Sequence, residues 1–424
     1  MTIRPSPPHA AGVGLPWDVE VDDAVAVLAA ARRRLGDTFT VTSGDDTYLF
    51  VFSPDGVAGF YDLPEDVASK GVADYLMLKR KLPDELFVGR RTFPHELFTR
   101  DGVAGYLGNL DEVLVETVAE LGGAGTVDLF ALGRRIGQRV GLASWGGPGA
   151  AHGPRFERLV AAFDLLDGSD AFVHPEAMAA VAASGRARER DALEVVVAEL
   201  RPGVDAAAAD DHPLFRSIVG AWSDEPADVA ARGAAHDVAL VHIASLSNLV
   251  AAMGWFLVDL LERPWLVSEV RSGGRDVVEQ AALESIRLSQ RSIMARRVLA
   301  DVTLDVGTAV YEVPPGVTVA TLLPLTNTEG PGYGEFRPDR WRGRRLADVS
   351  GLGARELVTT FGHGAHTCPA QPFSLAAMAR TARGVLDTYE IEPRWTRRPV
   401  PLPAQIGGVA RPAGPCEVRY RARA

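Results

Sequence analysis

A mainly helical protein with small β-sheets is the fold class this sequence predicts, on three observations. The segment Asp237–Leu261 is almost continuously apolar, as a helix buried on all sides must be. Further segments repeat apolar residues at helical spacing: Asp22–Leu35, Asp111–Leu121, Val127–Val140 and a broken run from Leu159 to Glu199. Only Thr38–Thr42 and Thr47–Phe52 stand out as strands, around the turn Gly44-Asp45-Asp46. With 424 residues, 47% of them hydrophobic, the chain can bury a large core, and length alone would suggest two or three domains.

In chain order, residues 1–15 are rich in Pro and Gly and are expected to form a flexible tail. The first helix ends in arginines, which suit the negative end of its dipole. After the hairpin, Pro64–Ser69 is expected to open a short helix. Lys79–Pro94 has no period and carries Pro83, Gly89 and Pro94, so it reads as a long loop. The helical run from Leu159 is interrupted near Asp167–Pro175. The long apolar helix should stop at Glu262-Arg263-Pro264, because proline cannot continue it. At ~1.5 Å per residue it would span ~37 Å, enough to cross a domain.

Composition narrows the function. A net charge of −11 argues against nucleic acid as a partner. Two cysteines exclude a disulfide framework. The first fifteen residues lack an apolar core segment, so neither a signal peptide nor a membrane anchor is expected there, and a soluble cytoplasmic monomer is.

Chemistry concentrates in Phe361-Gly362-His363-Gly364-Ala365-His366-Thr367-Cys368-Pro369-Ala370. Glycines before the cysteine let the backbone turn tightly and approach a flat ligand. A helical pattern from Phe373 to Leu386 follows, so Cys368 sits at a helix N-terminus, which favours a thiolate. A thiolate is a good soft ligand for iron. Upstream, Glu284 and Arg287 lie three apart on one helix face and can pair. Phe336-Arg337-Pro338-Asp339-Arg340-Trp341 lies between that pair and the cysteine.

This arrangement resembles the cytochrome P450 superfamily. Phe361, Gly364 and Cys368 fall in register with its Phe-x-x-Gly-x-x-x-Cys-x-Gly loop, with Ala370 in place of the last glycine. Glu284 and Arg287 match its Glu-x-x-Arg helix, and Phe336–Trp341 resembles its Phe-x-Pro-x-Arg-Phe segment. The resemblance runs from about Pro16 to the C-terminus and implies a single large domain over residues 16–424. It implies heme b with Cys368 as axial ligand. Glu284, Arg287 and Arg340 would form a buried folding triad. Arg297, from Arg297–Val302, and His366 would contact the heme propionates, with Arg100 as a third contact. Lys79–Pro94 would roof the substrate pocket, the broken run after Leu159 would form the lid helices, and Gly407–Tyr420 the last hairpin. Cys416 has no motif around it and reads as inert.

The long helix departs from the family. Counting back from Pro264 through Trp255 puts the family's small-residue pair at Ala244-Ser245, its acid at Ser247 and its threonine at Asn248. Leu240, Ala244 and Ser245 are then expected to line the substrate pocket. His242 falls about 200° round the helix from Ala244, on the opposite face, and reads as structural. In the family the acid and threonine deliver protons during oxygen activation. Serine does not ionise, and an amide does not readily pass a proton on. Branches resembling prostacyclin synthase and allene oxide synthase also place Asn here, as do some hydroxylating sterol enzymes. Pro369 removes one N–H donor near the sulfur, which should leave the thiolate more electron-rich.

Three functions follow from the resemblance. One is an atypical heme enzyme cleaving an O–O or N–O bond, with Ser247 and Asn248 as its catalytic positions. The second is a conventional monooxygenase using dioxygen, NAD(P)H and a ferredoxin with its reductase, docked near Arg342, Arg344 and Arg345. The third is a non-catalytic heme or ligand binder. The nearly all-apolar pocket helix suggests a small apolar or aromatic metabolite, of secondary metabolism, as substrate.

Overall fold

The computed structural model describes the chain except residues 1–2, 5, 148, 207–211, 345–351 and 424. Strand β1 (Ile3–Arg4) is followed by α1 (Ala24–Leu35), the hairpin β2 (Thr38–Ser43) and β3 (Asp46–Val51), and α2 (Pro54–Asp62). Next come β4 (Ala68–Ser69), α3 (Lys70–Leu78), α4 (Pro94–Leu97), α5 (Arg100–Leu121), β5 (Ala124–Asp128) and α6 (Leu129–Trp145). The middle of the chain is helical: α7 (Gly153–Asp167), α8 (Pro175–Ala183), α9 (Ala187–Ala206), α10 (Pro213–Gly220), α11 (Ala227–Leu261), α12 (Pro264–Ser272) and α13 (Arg275–Ser289). Strands β6 (Ile293–Val298), β7 (Val302–Asp305), β8 (Val310–Val313) and β9 (Val317–Leu322) precede α14 (Leu323–Thr326) and α15 (Gln371–Thr388). Strands β10 (Tyr389–Pro393) and β11 (Glu417–Ala422) close the chain.

The sheets are small and lie at the edges of a helical body. One has the order β2-β3-β9-β6-β4, a second β1-β8-β7, and a third β10-β11-β5. The central helix α11 is longer than its apolar stretch, starting ten residues before Asp237. It is long and apolar enough to cross a membrane, but most of it is buried inside the protein, where helices α6, α9, α13 and α15 pack on it. Trp255 is fully buried and its Nε1 donates to the Ala410 carbonyl at 2.6 Å.

Close approach of α6 to α11 depends on glycine. Gly133, Gly137 and Gly141 recur every fourth residue, on one face of α6. A Cβ at Gly137 would lie 2.7 Å from a Val250 methyl, and one at Gly141 would lie 2.5 Å from His242 Nδ1. The α11 side chains of Val250 and His242 pack directly on the bare α6 backbone there.

Several boundaries differ from the sequence reading. Pro64–Val67 is a turn leading into β4, and the helices flank it as α2 and α3. Ser69 is a helix start there: its side chain accepts the Val72 N–H and caps α3. Residues 1–15 are not a free tail over the described part. Ile3 pairs with Val310, Ala10 is buried and its N–H donates to Thr40, and the Leu15 N–H donates to Ser43 Oγ. Gly407–Tyr420 is not one hairpin. Its first half forms a loop, bridged by Pro401 and Pro412, and its last residues belong to β11.

Candidate functional site: a cysteine loop, its brace and an adjoining cavity

The cysteine loop closes on itself. Cys368 donates its backbone N–H to Phe361 O at 2.7 Å, and His366 donates to His363 O at 3.0 Å. Gly362 takes φ +78°, and a Cβ there would lie 2.5 Å from the His366 carbonyl, so only glycine fits. Gly364 also has positive φ. The half-buried Phe361 packs against the main core. The backbone N–H groups of Ala370 and Gln371 point at the Cys368 sulfur, while Pro369 between them has none to offer. Burial pushes the free thiol up, and those N–H groups and Lys70 act in the opposite sense.

Glu284 and Arg287 are fully buried. Arg287 grips Glu284 through two bonds, at 2.6 and 2.8 Å. Arg340 Nε reaches the same carboxylate at 2.9 Å, and so do the Arg337 backbone N–H at 2.9 Å and Trp341 Nε1 at 2.8 Å. The guanidinium of Arg287 spends its remaining donors on the carbonyls of Asn327, Tyr333 and Glu335. Every donor and acceptor of the pair thus has a partner, which is the condition for burying charge at tolerable cost.

Adjacent arginines of β6 part company. Arg297 pairs with Asp46 at 3.1 Å and with Thr318 Oγ1 at 3.3 Å. Arg296 is buried, and donates to the carbonyls of Ala68 at 2.7 Å and Phe60 at 3.2 Å. Arg296, not Arg297, is on the cysteine-loop side: its charge, after burial, holds the His366 imidazole below its usual pKa. Tyr61 stands edge-on to His363, with ring centroids 5.3 Å apart, and 6.4 Å from His366. Arg100 is exposed at the start of α5. Arg342 is exposed, Arg345 lies outside the described residues, and the side chain of Arg344 is not described.

A cavity of about 710 Å3 opens along α11. Leu240, Ala244, Ser247, Asn248 and Ala251 line it at spacings of three and four, one face of the helix. Ser245 is not in this wall; its hydroxyl donates back to the His242 carbonyl at 3.0 Å. Phe130, Ala131 and Arg134 of α6, the end of α7 and the residues just after it, and the loop after Pro401 also line it, together with Leu78 at the end of α3 and Lys81 and Leu82 in the expected roof loop. Asn248 Oδ1 accepts the Val409 backbone N–H at 2.8 Å. Ser247 Oγ donates to Asp167, the last residue of α7, and Arg134 holds that carboxylate at 3.1 Å. Nothing in the sequence pairs Ser247 with Asp167, since eighty positions separate them.

His242 lies on the other side of α11, fully buried. Trp145 Nε1 donates to its Nδ1 at 3.0 Å, which fixes the proton on Nε2, facing Gln138 Oε1 at 2.7 Å. Cys416 is also fully buried, and burial pushes its thiol up to about 12.

Comparison with known proteins identifies the fold. No family model matches the chain. Over 209 residues it is 27% identical to human 24-hydroxycholesterol 7-alpha-hydroxylase, covering 42% of each protein. It is 23% identical over 184 residues to a cytochrome P450 monooxygenase of Gibberella zeae, covering 37% of the chain and 35% of that protein. The matches thus span less than half of these curated relatives. The whole fold superposes on cyanobacterial CYP120A1 with retinoic acid bound: TM-score 0.76, 15% identity, 99% of this chain and 100% of that one. The chain has the cytochrome P450 fold. CYP175A1 of Thermus thermophillus gives TM-score 0.65 at 22% identity, over 94% of this chain and 95% of that one.

The residues of the cysteine loop fit a heme. Cys368 sits half-buried at the N-terminus of α15 with backbone N–H groups aimed at its sulfur, as a thiolate ligand to a heme iron would need. The glycine loop gives the macrocycle a close backbone approach.

Proposed function

We propose that the protein is a heme-thiolate enzyme that cleaves an O–O or N–O bond already present in its substrate, by rearrangement, dehydration or nitrene-like transfer. Cys368 would hold the heme, with Arg296 and His366 at its propionate edge and the Glu284–Arg287–Arg340 brace keeping the loop in place. Thiolate-bound heme iron supplies the electron density that breaks a weak bond between heteroatoms. The observation that carries this reading is the bond from the Val409 N–H to Asn248 Oδ1. That bond fixes the Asn248 amide with its NH2 free to donate, and an amide NH2 does not readily give up a proton, so it orients a heteroatom rather than relaying protons. Rearrangement and dehydration are redox-neutral and need no external electrons.

Two observations favour conventional monooxygenation as the second reading. The curated relatives are named as a hydroxylase and a monooxygenase. Asp167 also puts a carboxylate behind Ser247, where the helix itself lacks one. That reading brings a ferredoxin-type electron donor. Either way the mostly apolar cavity wall suits a small apolar or aromatic metabolite, and we take the protein as a cytoplasmic monomer acting in secondary metabolism. The test is turnover of a panel of oximes, hydroperoxides and their parent hydrocarbons in a sealed anaerobic assay, with isotope-labelled dioxygen in the aerobic control. Anaerobic product supports cleavage. Stoichiometric label in the product and no anaerobic activity make it a monooxygenase.

A further inference from the structure

The polar groups of the cavity form a specific pattern. Ser247 spends its only proton on Asp167, so toward the cavity its oxygen can only accept. Asn248 has its carbonyl oxygen tied to the Val409 N–H, which fixes the amide and leaves its NH2 as a free donor. The two residues are adjacent on α11 and both line the cavity. An acceptor beside a donor complements a hydroxyl-type group, X–OH, which donates through its proton and accepts at its heteroatoms.

The charged side chains of the wall are largely paired. Lys81 pairs with Glu189 at 3.1 Å, Arg134 with Asp164 at 2.6 Å and with Asp167, and Arg411 with Asp170. The Asp167 carboxylate is itself bound by Arg134 and only 8% exposed, so it is committed to Ser247 and Arg134 rather than to a ligand. Arg411 keeps Nε and Nη2 buried without a partner, so the wall does not exclude an anionic end elsewhere on the ligand.

We propose that Ser247, backed by Asp167 as its positioning residue, and Asn248 together select a substrate bearing a free hydroxyl-type group: an alcohol, oxime or hydroperoxide. This deepens the cleavage reading, because oximes and hydroperoxides carry the bond to be cleaved. It does not require turnover, so the two can fail separately.

The test uses heme-loaded protein and isothermal titration with matched pairs: benzophenone oxime against its O-methyl ether, and 4-phenylphenol against 4-methoxybiphenyl. The wild type should bind each hydroxyl compound about tenfold or more tighter than its ether, because the ether leaves the acceptor at Ser247 unmet. Ser247→Ala should bring the ratio close to one, Asp167→Asn should lower it severalfold, and Ser247→Thr, which keeps the hydroxyl, should preserve it. Equal affinities within both pairs in the wild type overturn the proposal. So does a preference undiminished in Ser247→Ala or in Asp167→Asn. Anaerobic turnover, measured separately, bears only on the cleavage reading.

Discussion

Arg296 and Arg297 are adjacent in β6 and serve opposite faces of its sheet. Arg296 is buried against the carbonyls of Phe60 and Ala68, on the side of His366, whereas Arg297 is tied to Asp46. Substituting Arg296→Gln should therefore lower heme retention, read as the ratio of Soret to protein absorbance in purified material. Arg297→Gln should leave that ratio near wild type. The reverse ranking would return the propionate role to Arg297.

Cys368→Ala should abolish the thiolate-type spectrum of the reduced carbon monoxide complex. Cys416→Ala should leave it unchanged, because that thiol is buried and pushed up to about 12, away from the cysteine loop. A thiolate signal surviving in Cys368→Ala would remove it as the axial ligand.

Glu284→Ala strands two arginines in the interior and should destabilise the fold by about 3–5 kcal/mol. Little soluble, heme-loaded protein is expected. Thermal melts of whatever is recovered check the magnitude. A melting temperature equal to wild type would show that the brace carries no stability.

His242 sets a pH dependence. Burial pushes its pKa from 6.5 down to about 3 in the folded protein. A group depressed on folding contributes stability that is whole above its unfolded pKa and is lost as pH falls, since the unfolded chain then binds the extra proton. Relative to His242→Gln, the wild type should lose about 1.4 kcal/mol per pH unit as pH falls from ~6.5 toward ~3. Above that window the difference should be constant. Denaturant melts of both proteins at several pH values measure it, and parallel curves throughout would place a charged histidine in the core.

Asn248→Thr shortens the side chain that holds the Val409 N–H. Threonine at this position should not improve the native reaction. It should cost about 1 kcal/mol of local stability, the usual worth of one such bond. Hydrogen exchange at the Val409 amide checks this directly, and unchanged protection there would show that the bond does not hold the loop.

Legibility of the sequence followed the range of the interactions. The core of α11 was visible because it is apolar nearly all round, but its first turns are not: Asp228, Arg232 and His236 break the pattern. Glu284 and Arg287 could be paired from their spacing, and the approach of Arg340 came from family resemblance. Two adjacent arginines could not be told apart, because strand alternation alone decides which of them faces inward. Pro64 looked like a helix start, and only the turn shows that Ser69 does the capping. The bonds from Ser247 to Asp167 and from Asn248 to Val409 join positions 80 and 161 apart, and no local pattern marks either.

The cavity wall draws on separate stretches, among them one face of α11, the start of α6, the end of α7, the end of α3 with the start of the roof loop, and the loop after Pro401. None of these segments contributes a side chain to the cluster around Glu284. Anyone wishing to retrain this scaffold on a new compound could therefore redesign one wall at a time. Leu78, Leu82 and Leu402 are the places to begin, since altering them disturbs neither the cysteine loop nor the charges that brace it.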